Sequence, residues 1–321
     1  MEEKDDLIQQ ILSGDRRAVA RAISLVENDS SFSRGLLKQV YGETGKAYRV
    51  GITGPPGAGK STLTNKLAKL YRTQKRKVGI IAVDPTSPFT GGALLGDRVR
   101  MNEVELDEGV FIRSMASRGS LGGLSKRAKE AADVLDAAGY NIVLMETVGV
   151  GQSELDIAGA ADTTIVVLVP ESGDGIQAMK AGLMEIADFF VLNKADRPGA
   201  EQAVMSLKMI LGFRTHDAES WMPEVVQTQA NNGIGIEEVA LFIQRHRSFL
   251  EGNGGLTIRR KARLESRIRE IIDDQLHSDF WSDVRMHELH KKLELLLHRQ
   301  SNPYDVADGL INDFRSHNGK I

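Results

Sequence analysis

Cysteine is absent from the chain. Disulfides, thiol nucleophiles and cysteine-ligated metal sites are therefore excluded. No apolar run approaches the ~20 residues that cross a bilayer, so no membrane partner is expected. Lysine and arginine total 41 against 44 aspartate and glutamate, a net charge of −3. Without a broad basic field, nucleic acid is not an expected partner either. The opening MEEKDDLIQQ is acidic and amphipathic, unlike a secretory or mitochondrial leader, and points to a cytoplasmic protein. At 321 residues and 41% hydrophobic, the chain has length for a main domain plus appendages.

What is present is organised around residues 50–62, VGITGPPGAGKST. The stretch reads as the end of a buried strand, a glycine-rich turn and the start of a helix. Gly54 to Ser61 fit G-x-x-x-x-G-K-[ST] at every fixed position. The turn Gly54, Pro55, Pro56, Gly57, Ala58, Gly59 curls so that backbone N–H groups face phosphate oxygens, where a side chain would collide. Lys60 brings a mobile positive charge to the β- and γ-phosphates, and the Ser61 hydroxyl is a hard ligand for Mg²⁺. The helix running on from Thr62 adds its positive end to the same anion. The pattern predicts a nucleoside-triphosphate site.

Either side of this turn the pattern changes character. Residues 1–46 carry apolar positions at helical spacing, broken at Ser13-Gly14-Asp15, and predict a helical extension. Residues 47–250 alternate short apolar runs with helices. The expected strands are 48–53, 78–83, 110–113, 141–146, 164–169, 188–193 and 225–228. That alternation predicts an α/β fold, a mostly parallel sheet flanked by helices, with ligands at the carboxyl ends of the strands. Past Gly252-Asn253-Gly254-Gly255, residues 251–321 predict three helices, 257–277, 279–299 and 303–314. Leu264, Ile268, Ile271, Ile272 and Leu276 form one apolar stripe; Leu289, Leu293, Leu296 and Leu297 form another. Either the stripes pack on the same chain, or they form an arm buried on a second subunit, which makes a homodimer.

The strand ends carry the chemistry. Asn193-Lys194-Ala195-Asp196 follows DFFVLN. A fixed carboxylate at Asp196 accepts from guanine N1–H and the 2-amino group, whereas adenine presents an acceptor there. The Lys194 stem covers the base, Asn193 ties the loop to the phosphate turn, and Thr228-Gln229-Ala230 supplies a backbone N–H for guanine O6. GTP and GDP are thus expected over ATP. Glu146-Thr147-Val148-Gly149 follows NIVLM; the usual pattern is Asp-x-x-Gly, with the carboxylate holding Mg²⁺ through water and the Gly149 N–H meeting the γ-phosphate. Glu146 lengthens that arm by one methylene. Val150 stands where many GTPases place a water-orienting glutamine, which predicts slow intrinsic hydrolysis completed by a partner. Asp84 is either a metal-shell carboxylate or a turn cap before Pro85. Asp97 either orders the attacking water or the metal shell, or is a solvated charge. Arg113 and Arg118 belong to a loop that faces phosphate or a partner, or only solvent. Residues 171–180, ESGDGIQAMK, are a third switch or a flexible connector.

Together, GPPGAGKST, VDPTSP, ETVGVGQSE, ESGDGIQAMKAG and NKAD resemble the MeaB/ArgK family of methylmalonyl-CoA mutase-associated P-loop GTPases. The resemblance covers residues 5–320. It implies a homodimeric G-protein chaperone, joined through its C-terminal arm, for an adenosylcobalamin-dependent acyl-CoA mutase, gating cofactor delivery and protecting or reactivating the enzyme. It further implies Ser61, Asp84 and Glu146 around Mg²⁺, Glu146 and Asp97 with Lys60 as catalytic groups, and Asp97 and Lys180 as switch residues. A kinase or ATPase of an amino-acid transport system fits NKAD poorly. A metal-inserting GTPase would need a Cys-x-Cys-Cys motif and a His-rich insert, and both are missing.

Overall fold

A computed structural model describes residues 2–28, 32–84, 104, 106–116, 126–147, 153–172, 181–213 and 220–318. They form two compact units, residues 1–259 and 260–321. Three helices come first: α1 (Glu2–Leu12), α2 (Arg16–Glu27) and α3 (Ser33–Val40). Asp15 caps α2 by accepting from the Ala18 N–H at 2.7 Å.

Next, β1 (Tyr48–Thr53) enters α4 (Lys60–Thr73); β2 (Val78–Asp84) and β3 (Val110–Ala116) precede α5 (Lys126–Ala137). Then come β4 (Ile142–Thr147), α6 (Ser153–Ala160), β5 (Thr163–Leu168), α7 (Ala181–Ile186), β6 (Phe189–Leu192), α8 (Ala200–Gly212), β7 (Val225–Gln227) and α9 (Ile236–Gly252). Among the described residues the strands make one seven-stranded sheet in the order β3-β2-β4-β1-β5-β6-β7. Every pairing is parallel, as helical crossovers require. The expected strand boundaries shift by at most one residue, except that β3 runs three residues further, to Ala116.

Alternate strand residues serve opposite layers. Val50, Ile52, Ile165 and Val167 pack with α4 and α9. On the other face, Ile81, Val143 and Met145 pack with the first three helices, α5 and α6. Val166, Leu168 and Phe190 pack with α7 and α8. Gly51 permits this layering: a Cβ there would lie 2.8 Å from Ile157 of α6.

The amino ends of the strands carry a repeated polar device. Asn141, Asp162 and Asp188 each stand directly before a strand and accept a backbone N–H at the start of its neighbour. The donors are Lys77 at 2.8 Å, Arg49 at 3.0 Å and Thr164 at 2.7 Å. Asp136, at the end of α5, accepts from the N–H groups of Gly45, Lys46 and Ala47 at 2.7, 3.1 and 2.8 Å, fixing the chain's entry into β1. Asp188 also takes the guanidinium of Arg259 on both oxygens, at 2.6 and 2.9 Å. Beside them His246 is fully buried, its Nδ1 2.8 Å from the Thr163 hydroxyl, which lies 2.6 Å from Tyr48 OH.

The second unit holds most of α10 (Gly255–Phe280), with α11 (Asp283–Leu297) and α12 (Pro303–Asn318). Phe280 and Phe314 meet with ring centroids 5.3 Å apart. Asn302 caps α12 through the Asp305 N–H at 2.9 Å. Ile268, Ile272 and Leu276 are about half exposed, so the apolar stripe of α10 is largely uncovered within this chain.

Burial holds the His246 imidazole neutral, lowering its pKa from 6.5 to about 4; Asp188 opposes this shift and Arg259 offsets Asp188. Because the folded value lies below the unfolded one, this site's contribution is complete above pH 6.5 and is lost as pH falls toward 4. His246→Gln should therefore remove up to about 1.4 kcal/mol per pH unit from the acid slope of unfolding free energy. Urea unfolding at pH 7.5, 5.5 and 4.5 measures it; parallel pH profiles for variant and wild type would contradict the assignment.

Candidate nucleotide site

The phosphate turn leaves β1 between two parallel neighbours, β4 and β5, with Ile52 opposite both Glu146 and Ile165. Gly54 has φ 134°, and a Cβ there would lie 2.1 Å from the Val167 carbonyl oxygen. Gly59, at φ 90°, caps α4, and its Cβ would meet Asn193 Nδ2 at 2.2 Å. Both positions demand glycine, one against backbone and one against a base-loop side chain. Lys60 is buried and folds back over its own turn, donating to the carbonyls of Gly54 at 2.8 Å and Pro55 at 3.0 Å.

Glu146 sits one residue before the end of β4 and is 4% exposed. The Ser61 hydroxyl donates to its Oε1 at 2.6 Å, and the Thr64 hydroxyl donates to its Oε2 at 3.0 Å. Serine hydroxyl and carboxylate thus converge beside the amino end of α4, a hard-oxygen donor set that suits Mg²⁺. Thr53 and Thr147 hydroxyls, 2.9 Å apart, tie the root of the turn to the end of β4.

A cavity of about 650 Å³ runs from this turn to the end of β6, with Asp196 on its far wall. Asn193 bridges three segments. Its Nδ2 donates to the Ala58 carbonyl at 2.8 Å, and its Oδ1 accepts from the Thr228 hydroxyl and the Ala230 N–H, both at 3.0 Å. Lys194, at φ 57°, donates to the Gly57 carbonyl at 2.8 Å, laying its stem along the cavity. Gln229 and Ala230 line the same wall. Arg197, beside Asp196, pairs with Glu171, and this guanidinium holds the Glu171 carboxyl below its ordinary pKa.

The structure therefore brings the phosphate turn, Glu146 and the two base-side loops together. Asp97, Gly149 and Lys180, with Arg118 and Val150, lie outside the described residues. Asp84 ends β2 beside β4, but its side chain is likewise outside them. Arg113 is not in a loop: it stands in β3, pairs with Glu27 of α2 and donates to the Ser24 hydroxyl at 3.2 Å. Sequence reasoning passed over Thr64, Thr147 and Arg197. Thr64 is three residues from Ser61, on the same face of α4, and that spacing was the available signal.

Gly54→Ala should destabilise the fold by ~2–3 kcal/mol, because the new methyl meets a strand carbonyl that cannot rotate away. Thermal unfolding with and without GDP checks this; an unchanged melting temperature would contradict the close approach.

The geometry has counterparts in known proteins. The sequence matches the family described as "Methylmalonyl Co-A mutase-associated GTPase MeaB" over residues 19–285. It is 48% identical over 310 residues, 96% of this chain and 97% of the other, to a Pyrococcus horikoshii protein described as a candidate GTPase. It is 32% identical over 334 aligned residues to the mouse protein "Methylmalonic aciduria type A homolog, mitochondrial", covering 97% of this chain and 80% of that one. Among solved structures, an LAO/AO transport system kinase is similar with a TM-score of 0.73 and 28% identity, each chain covered to 98%. Phosphate turn, parallel sheet and a family match across most of the chain agree: this protein belongs to the MeaB family of mutase-associated GTPases.

Proposed function

We propose that this GTPase serves an adenosylcobalamin-dependent acyl-CoA mutase of the methylmalonyl-CoA type, as a chaperone that gates cofactor delivery and protects or reactivates the enzyme. The observation that carries the reading is the match to a family described by its association with that mutase. The similarity to the mouse protein along 97% of this chain supports it.

In this reading the backbone of Gly54–Gly59 cradles the phosphates, and Lys60 leaves its two carbonyl partners to lie against the β- and γ-oxygens. Ser61 and Glu146, with Asp84, hold Mg²⁺, which neutralises charge building on the phosphates when bound. Asp196 accepts from guanine N1–H and the 2-amino group, the Lys194 stem covers the base, and the Ala230 N–H meets O6. Hydrolysis is in-line attack of water on the γ-phosphorus, with the bond to GDP breaking as the new P–O bond forms. Val150 cannot orient that water, so turnover alone is slow and the mutase accelerates it. Asp97 and Lys180 transmit nucleotide state to the mutase. The exposed stripe of α10 supports burial on a second subunit, a homodimer of cytoplasmic proteins. A kinase of an amino-acid transport system is the competing reading, and the carboxylate of Asp196 disfavours its ATP.

Three measurements test this. GTP turnover should rise on adding a methylmalonyl-CoA-type mutase, and fast turnover indifferent to the mutase would defeat the chaperone reading. Asp196→Asn should shift binding from guanine toward xanthine nucleotides by on the order of tenfold or more, read by GDP against XDP competition. Light scattering should give twice the chain mass, with Ile268→Glu/Ile272→Glu reducing it to one.

A further inference from the structure

Thr64 lies buried in the second turn of α4. Its hydroxyl is 2.9 Å from the Lys60 carbonyl, the bond a helical threonine ordinarily makes to the residue four before it. It is also 3.0 Å from Glu146 Oε2, a contact that backbone habit does not explain. The two Glu146 oxygens are thus addressed from one helix: Oε1 by Ser61 at 2.6 Å, Oε2 by Thr64.

These two bonds stand differently toward a bound cation. A serine that ligates a cation does so through an oxygen lone pair, so its O–H points away from the metal and can still donate to Oε1, but its place is then set by the cation as well as by Glu146. Thr64 is not among the proposed cation ligands. It sits one turn deeper, with no exposed surface, and its single hydroxyl hydrogen is shared between the Lys60 carbonyl and Oε2 whether or not a cation is present. Glu146 needs such a holder more than an aspartate would, because the added methylene gives its carboxylate one more torsion to fix.

We propose that Thr64 is a positioning residue of the nucleotide site, holding the Glu146 carboxylate in the place from which it supports the bound cation. The inference rests on the reading of Ser61 and Glu146 as the Mg²⁺ site. Thr64 touches neither substrate nor cation; it acts through Glu146. Thr64→Val keeps the shape and removes the donor, whereas Thr64→Ser keeps the donor and removes a methyl.

The test is GDP affinity of the full chain, followed by the fluorescence of a labelled GDP, with excess Mg²⁺ and with EDTA. Wild type should bind more tightly with Mg²⁺. Thr64→Val should lose roughly tenfold or more of that gain, in the range of other residues that orient metal ligands, while its EDTA affinity stays that of wild type. Thr64→Ser should recover most of the gain. A valine variant with the full Mg²⁺ response overturns the inference, and so does one that has lost GDP binding equally in EDTA, since that marks a structural role. A wild type indifferent to Mg²⁺ instead overturns the metal-site reading beneath it, and the two failures are therefore distinguishable.

Discussion

The register of β1 against β4 sets the distance between an anion-binding turn and a carboxylate, and the site follows from it. Ile52 lies opposite Glu146, two residues before Gly54 begins the turn. Side chains on a strand alternate, so a slip of one residue would turn Glu146 to the opposite face, away from Ser61. Several features oppose that slip. Val50 and Ile52 enter one core while Gly51 faces Ile157, where no side chain fits. Asp162 holds the Arg49 N–H at the start of β1, and Asp136 holds the three N–H groups before it. The 2.6 Å contact between Ser61 and Glu146 is the far end of restraints that begin at the amino end of β1.

The second consequence is that the loops proposed to read base and phosphate form one connected assembly. Asn193 fixes the base loop to the phosphate turn and to the loop after β7, so Asp196 is positioned relative to Lys60 by side-chain bonds rather than by loop length. Gly59 is part of the same contact, because Asn193 Nδ2 occupies the space that any larger residue would need. In the proposed reading, selectivity for the base and grip on the phosphates are then a single mechanical property. A change at Asn193 would disturb both.

The sheet and the phosphate turn were legible because their signals are local. Runs such as VGIIAV and NIVLME are apolar on both faces, which suits a strand covered by helices on each side, and the turn is a contiguous pattern. What was not legible depends on pairs distant in sequence. Asp162, Asp188 and His246 look like ordinary surface residues of loops and a helix, yet each is buried. The position shared by Asp162 and Asp188, directly before a strand, becomes meaningful only when the neighbouring strand is known. Thr64 is hidden differently: a threonine inside a helix carries no signal until Glu146 arrives from 82 residues away. Arg113 falls both at the end of the expected strand 110–113 and in the expected loop; β3 continues to Ala116, which leaves it inside the strand.

The opposite end of β6 from the base loop bears a buried carboxylate with several partners. Asp188, immediately before β6, is buried with Arg259 on both its oxygens and the Thr164 N–H on one of them. The guanidinium is only half-buried and is screened by solvent, so the pair alone would say little about why charge is used there. The third bond supplies a reason. An apolar residue at 188 would strand the Thr164 N–H at the start of β5, and that strand supplies the Val167 carbonyl against which Gly54 is packed. His246 meanwhile stays neutral because it is buried, the pull of Asp188 toward the charged form being offset in part by Arg259. Arg259 also lies in α10, the helix that continues into the second unit. The charge is retained because one carboxylate holds a strand and the root of a helix at once, and no apolar side chain can do both.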